Sequence, residues 1–299
     1  IELQIKCIRK FMPWIDQIFV VVSTSSQVSD LGDAIVITHD QIIPTEYLPT
    51  FNSCTIEMFL HNIPNLSEYF VYFNDVMIPI APLDESEFFD GQPILSFKTV
   101  IEPPINTYRH QCKNSDVLAR IITGVPSDSR YVKTDHICCV HSKDAFRKVW
   151  SKADKTIRKS LTKTRSTTNF NQYLFADYLL YSNQCKIKRL DYKFIEYQKV
   201  TPNTLYDIIS NQRYKLICLQ DNNRNDDFDR ALVNGLRSIL DNNSIDLVVP
   251  YVDCDDRNWQ KLYKQYVSSD DGYGASKERF RGWDMFRYFF RGIDRYMSF

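Results

Sequence analysis

Phe70-Val71-Tyr72-Phe73-Asn74-Asp75 runs four β-favouring residues into an amide and a carboxylate. That pattern reads as a buried strand stopping at a polar edge. Working outward, Ile18-Phe19-Val20-Val21-Val22 and Ala34-Ile35-Val36-Ile37 read as two further strands. Ile56, Phe59, Leu60 and Ile63 then recur at helical spacing, with Asn52 or Ser53 as cap and Pro64 as stop. Later, Tyr214 to Leu219 forms a strand candidate that ends at Asp221. Phe228, Ala231, Leu232 and Leu236 share a helical face, and Leu247-Val248-Val249 is a strand candidate ending near Asp253. Strands alternating with helices predict an α/β fold with a mostly parallel sheet.

Three of these strands run into carboxylates, Asp75, Asp221 and Asp253. In open α/β sheets, ligands bind at the carboxyl edge of the strands. Acids gathered there suit Mg²⁺, which binds one or two carboxylates together with substrate phosphate oxygens. Asp is equally a common turn residue, and the pattern alone leaves both readings open. The segment 80–130 carries Pro82, Pro93, Pro103, Pro104 and Pro126 and an acidic run, Asp84-Glu85-Ser86-Glu87. It reads as an irregular excursion, a lid or an insertion. Residues 143–165 are basic, from Lys143 to Arg165. They read as a solvated helix face or as a surface for an anionic substrate.

The 299 residues carry 37 Lys+Arg and 37 Asp+Glu, a formal net charge of zero. This removes the simplest case for a nucleic-acid binder. Hydrophobic residues make up 43% and charged residues 25%, which argues against general disorder. With 8 Gly in the chain, glycine-rich phosphate loops have little material. The 8 Cys are irregularly spaced and include no CxxC pair, so reduced thiols in a cytoplasmic protein are expected rather than a zinc ribbon or a disulfide framework. No run of 18 apolar residues and no signal peptide is visible, and a start at Ile1 fits a piece of a longer protein.

A longer pattern surrounds the opening stretch: Leu48-Pro49-Thr50-Phe51-Asn52-Ser53, Thr55-Ile56-Glu57, Leu60-His61-Asn62-Ile63-Pro64, Leu66-Ser67-Glu68 and Tyr72-Phe73-Asn74-Asp75. It resembles the second conserved region of the Stealth family. That family comprises capsular-polysaccharide phosphotransferases and the catalytic subunit of the lysosomal-enzyme N-acetylglucosamine-1-phosphotransferase. His136, Arg165-Ser166 and Asn171-Gln172 are similar to its third region, and Ile217-Cys218-Leu219-Gln220-Asp221 to its fourth. The first region is missing ahead of the second. Ile245 to Asp256 with Trp259 resembles it at the far end, followed by Arg279-Phe280-Arg281-Gly282-Trp283, which resembles the start of the second region again. Ile8-Arg9-Lys10-Phe11-Met12-Pro13-Trp14 also lines up with Ile293 to Phe299. The chain therefore divides as a Stealth module over 1–243, with 80–130 as its insertion, and a segment 245–299 that either completes the sheet or begins a tandem copy.

The resemblance implies a Rossmann-like, nucleotide-sugar-transferase sheet flanked by helices. It implies transfer of a sugar-1-phosphate from a nucleotide sugar to a glycan hydroxyl, with Mg²⁺ as cofactor. The expected setting is cytoplasmic, at the inner face of the membrane beside a capsule assembly complex. Metal or donor-phosphate contact falls to Asp75, Asp253 and Asp256, and the proton-accepting role to His136. Arg165, Arg279 and Arg281 are candidates for phosphate pairing, with Asn52, Ser53, Asn74 and Asp221 shaping the substrate site. Glu57 and His61 match the motif, and His61 beside apolar residues reads as structural. The chain departs from the family pattern at Val76, where a second Asp is usual, and at Cys138, Asn169, Gln220, Cys254 and Gly282. Two alternatives stay open: a degenerate module that binds without catalysis, and a glycosyltransferase that moves the sugar without its phosphate.

Overall fold

A computed structural model describes residues 1–29, 31–220 and 225–240, with four further positions at 257, 260, 261 and 264. The chain divides into two units, Ile1–Asn242 and Asn243–Phe299, and every element described below belongs to the first. In chain order these are α1 (Glu2–Phe11), β1 (Phe19–Val22), β2 (Ile35–Thr38), α2 (His39–Ile42), α3 (Ser53–Glu57), β3 (Tyr69–Tyr72) and β4 (Met77–Pro79). There follow β5 (Ile94–Leu95), β6 (Phe97–Val100), α4 (Thr107–Thr123), β7 (Tyr131–Thr134), β8 (Cys139–Ser142), α5 (Lys143–Ser160) and α6 (Tyr173–Tyr181). The last are β9 (Lys186–Ile187), β10 (Tyr192–Glu196), α7 (Pro202–Ser210), β11 (Leu216–Gln220) and α8 (Asp226–Leu240).

The fold is α/β, with the strands in small sheets. β1 pairs with β2, β10 with β11 and β5 with β9 in parallel. β11 with β4, β3 with β8 and β6 with β7 are antiparallel. The expectation of one mostly parallel sheet is therefore corrected: among the described residues, parallel and antiparallel pairings are equal in number. The reason is that an intervening helix does not by itself fix strand direction: β6 and β7 run antiparallel with α4 between them, and β4, which follows β3 after a turn, pairs with the distant β11.

The strands expected near 18–22, 34–37, 70–73 and 214–219 all form, as does the helix carrying Phe228 to Leu236. The strand expected at Leu247–Val249 lies outside the described residues. The helix expected over 56–63 splits. α3 ends at Glu57, and Phe59, Asn62 and Ile63 close tighter turns by bonding three residues back as the chain approaches Pro64. The segment 80–130 is more regular than expected, since it contains the 17-residue helix α4.

The main core gathers β3, β8, α5 and α6. Phe146 of α5 stacks on Phe175 of α6 with ring centroids 3.4 Å apart, and Val149, Leu174 and Met58 are fully buried beside them. A second core joins α1, α7, α8, β4 and β11 through Phe11, Ile78, Leu205, Ile209, Ile217 and Leu236. The seven described cysteines are free thiols, as their spacing suggested. Among the described residues, no helix is long and apolar enough to cross a membrane.

Candidate functional site

The turn after β3 sets the site. Met77 N–H bonds back to the Asn74 carbonyl at 3.1 Å, and Gln4 of α1 donates its side-chain N–H to the Asn74 and Met77 carbonyls at 2.8 and 2.7 Å. These bonds hold the Asn74-Asp75 corner and leave Asp75 exposed. The corner closes one end of a cavity of about 690 Å³ that runs along β1 and β3. Gln4, Ser53, Glu57, Tyr72, Asn74 and Asp75 make that end polar.

Glu57, at the end of α3, is buried beneath this corner. Its carboxylate accepts the Gln172 N–H at 2.8 Å and the Tyr72 hydroxyl at 3.2 Å. Burial pushes the carboxyl up to about 7, against the opposing pull of those hydrogen bonds and the Arg165 charge. The Tyr72 hydroxyl also lies 2.5 Å from Asn74 Oδ1. Glu57, Tyr72 and Asn74 thus form a chain in which a proton on Glu57 is felt at the residue beside Asp75. Gln172 is itself fixed by His141, whose Nε2 lies 2.7 Å from Gln172 Oε1. Burial lowers His141 to about 4, so the ring is neutral near pH 7 and its Nε2–H donates.

Asn52 caps α3, its Oδ1 accepting from Cys54 N–H at 3.1 Å. Its amide nitrogen reaches the Thr162 carbonyl and Asn169 Oδ1, each at 3.0 Å. Asn169 is buried as well, and donates to Ser160 O and Thr162 Oγ1 while accepting Ser166 N–H. The two amides lock the loop after α5 onto the start of α3. Arg165 projects from that loop and donates to Ser53 Oγ at 2.7 Å. α4 supports the loop from behind, with Gln111 and Asn114 donating to the Ser166 and Thr167 carbonyls at 3.0 and 2.8 Å.

His136 is half-buried after β7, with Nδ1 3.2 Å from the Tyr173 hydroxyl and its ring against Tyr108 and Phe194. Burial lowers its pKa, and the charges of Lys133 and Arg165 lower it further. The imidazole is therefore neutral near pH 7 and able to take a proton. Arg165 acts electrostatically on both Glu57 and His136.

The structure thus brings together Ser53, Asn74 and Asp75 at the cavity mouth, with Arg165 on Ser53, and places Asn52 in a buried structural role. Asp221, Asp253, Asp256, Arg279 and Arg281 lie outside the described residues. Tyr72, Tyr173 and Lys133 were not singled out from the sequence. Tyr72 sat unmarked inside the strand motif, and the other two lack a spacing signal. His61 is structural as expected: it packs against Phe146 and Trp150, and burial lowers it to about 4. The basic helix α5 is a solvated face, with Arg147 on Glu68, Lys148 on Asp144 and Arg158 on Asp154.

The side chain of Val76, half-buried, packs against both cores, and its carbonyl accepts Leu219 N–H at 2.9 Å. Among the described residues no group of three or more His, Cys, Asp or Glu is placed to hold a metal ion. Asp75 is the one described carboxylate of the three expected to bind Mg²⁺. A single carboxylate with donor phosphate oxygens and water remains within the usual range for that ion.

Residues 1–96 match the family model of Stealth protein CR2, conserved region 2. The chain is 31% identical over 191 residues to the capsular polysaccharide phosphotransferase fcs1 of Haemophilus influenzae, covering 59% of this chain and 52% of that protein. A capsular polysaccharide phosphotransferase of Actinobacillus suis is 32% identical over 188 residues, 59% of this chain and 50% of its own length. The phosphotransferase LcbA of Neisseria meningitidis is 41% identical over 93 residues, 30% of this chain and 25% of that protein. The chain thus spans at most about half the length of these relatives.

Proposed function

We infer that this chain, a member of the Stealth family by its second conserved region, serves sugar-1-phosphate transfer in capsular or cell-surface polysaccharide synthesis. The relatives carry the name capsular polysaccharide phosphotransferase. The observation that carries the reading to this chain is the convergence of the motif residues Ser53, Asn74 and Asp75 on one polar cavity mouth, with Arg165 hydrogen-bonded to Ser53.

In this reading a nucleotide sugar places its pyrophosphate at the Asp75 and Arg165 end. Arg165 pairs with phosphate oxygens through its planar fork. Neutral His136 takes the proton of a glycan hydroxyl. The hydroxyl oxygen bonds to the phosphorus next to the sugar, the pyrophosphate P–O bond breaks, and nucleoside monophosphate leaves with the electron pair. Mg²⁺, held by Asp75 and the donor, would supply charge neutralisation. The Rossmann-like character of the nucleotide-sugar site belongs to the same proposal, and the parallel pairs β1–β2 and β10–β11 support it. So does cytoplasmic work beside a capsule assembly complex, where donor and acceptor meet.

A second reading, a binding module without chemistry, is favoured by one observation: Val76 turns an apolar side chain into the cores where the family pattern has a second carboxylate. Incubation with Mg²⁺, a panel of nucleotide sugars and capsule-type glycans separates the readings. Nucleoside monophosphate with a phosphodiester product is expected, and Asp75→Asn should abolish it. Nucleoside diphosphate would mean plain glycosyl transfer. Donor binding without either product would establish the binding module.

A further inference from the structure

β6 and β7 pair antiparallel with Lys98 directly opposite Lys133. Residues directly opposite share one face of the pair, and like charges there repel. Lys98 is neutralised, since it ion-pairs with Asp135 and donates to the Tyr192 hydroxyl at 3.0 Å. Lys133, half-buried, has no carboxylate partner among the described residues, and its ammonium lies 5.5 Å from the centre of the Tyr108 ring. Arg109 of α4 adds a third cation, with its own acid, Glu102, 3.7 Å away. Burial and the charges of Lys98 and Arg109 all disfavour the Lys133 ammonium, with Cys112 and Asp135 pulling the other way. A lysine taken out of water is normally paired, so the uncompensated charge at this position calls for an anion. Tyr108 connects it to His136. The two rings meet edge-on with centroids 5.6 Å apart, and the Tyr108 hydroxyl lies 3.2 Å from the Tyr173 hydroxyl, which in turn holds His136 Nδ1. Nε2 is then the His136 nitrogen left for a substrate hydroxyl. Phe194, about a third exposed, covers another edge of the His136 ring.

We propose that Lys133 is an anion subsite beside His136, and that it holds a phosphodiester within the acceptor glycan while the sugar bearing the attacking hydroxyl lies against Tyr108 and Phe194. The proposal rests on the sugar-phosphate reading and names the acceptor class for it. The reaction in that reading makes the required group itself, because each transfer leaves a phosphodiester between the added sugar and the one before it. Lys133 and His136 stand against the same Tyr108 ring. A single sugar therefore bridges them, its hydroxyl at His136 and its phosphodiester at Lys133. A neutral glycan makes the first contact and lacks the second. The incoming anion also offsets the repulsion from Lys98 and Arg109, and it accepts a charge-assisted hydrogen bond from the ammonium. Arg165, hydrogen-bonded to Ser53 at the cavity mouth, stays with the donor pyrophosphate.

The test uses the 299-residue chain and a panel of fluorescent disaccharides, each made in a phosphodiester-linked and a glycosidically linked form, with binding read by anisotropy. The phosphodiester forms should bind more tightly. Lys133→Met should weaken them about tenfold, the worth of one charge-assisted hydrogen bond, and leave the neutral forms unchanged. Lys133→Arg should restore most of the difference. Binding of nucleoside diphosphates should be the same in Lys133→Met as in the parent, and its loss would assign Lys133 to the donor and overturn the proposal. The melting temperature of Lys133→Met should match or exceed the parent's, because the variant removes an uncompensated charge. A clear fall would mark the lysine as structural. Equal binding of the two linkage forms, or no binding of the phosphodiester forms, would also overturn the subsite. These are binding measurements, so a Lys133-dependent preference without product formation would count against the transfer reading and not against the subsite.

Discussion

Glu57, at the candidate site, departs clearly from its isolated behaviour. Its carboxyl is pushed from 4.5 to about 7 by burial. A raised carboxyl pKa means that the folded state holds the proton more tightly than the unfolded chain. Its contribution to stability is present below pH 4.5 and is lost as pH rises to about 7. The whole span corresponds to about 3 kcal/mol. Glu57→Gln removes the ionisation, so urea midpoints at pH 5, 6 and 7 should fall less steeply in the variant than in the parent chain. Parallel slopes would show that Glu57 does not titrate in this range. Asn52→Ala removes a helix cap and leaves the Asn169 and Thr162 partners unmatched, and should cost about 3 kcal/mol in denaturant unfolding. Val76→Asp places a charge against two cores and should cost about 2 kcal/mol. Its melting temperature checks this. At this scale the sequence was partly legible. The motif named Asn52, Ser53, Glu57 and Asn74, but not that Asn52 pairs with Asn169 in the interior. An amide's role depends on partners more than a hundred positions away, which no local pattern encodes.

Among the elements, α4 went unseen in the sequence although its signals are present. Asn106 caps it by accepting Arg109 N–H at 2.9 Å, and Gly124 ends it at φ +75°. Its buried face includes Gln111, Ser115 and Asp116 with Cys112, Leu118 and Ala119. Half of that face is polar, so a search for apolar periodicity passes over it, and the surrounding prolines suggest an irregular segment instead. Part of that polar face holds the loop that carries Arg165, through Gln111 on the Ser166 carbonyl, while Asp116 binds Arg120 and the Val132 N–H. Gly124→Ala should destabilise the protein by about 1 kcal/mol, because a side chain is disfavoured at that left-handed position. Thermal unfolding reads the effect. An unchanged melting temperature would show that the turn does not depend on this conformation. By contrast, α8 and β11 were legible, since both carry unbroken apolar patterns at their own periods.

For the molecule as a whole, α/β character was legible and sheet order was not. β11 lies between β10, parallel, and β4, antiparallel. An apolar run records that a strand is covered, but not which strand lies beside it. The convergence of Ser53, Asn74, Asp75 and Arg165 needed that tertiary arrangement, with α3, β3 and the loop after α5 meeting at one end of a cavity. The reaction proposed for that arrangement is transfer of the phosphate along with the sugar. The most direct measurement is to supply a nucleotide sugar labelled with ³²P at the phosphorus bonded to the sugar, and to follow the label after incubation with Mg²⁺ and acceptor glycan. Label appearing in the glycan, in a form resistant to phosphatase, is the expected result. Label leaving as nucleoside diphosphate while the unlabelled sugar joins the glycan would contradict it.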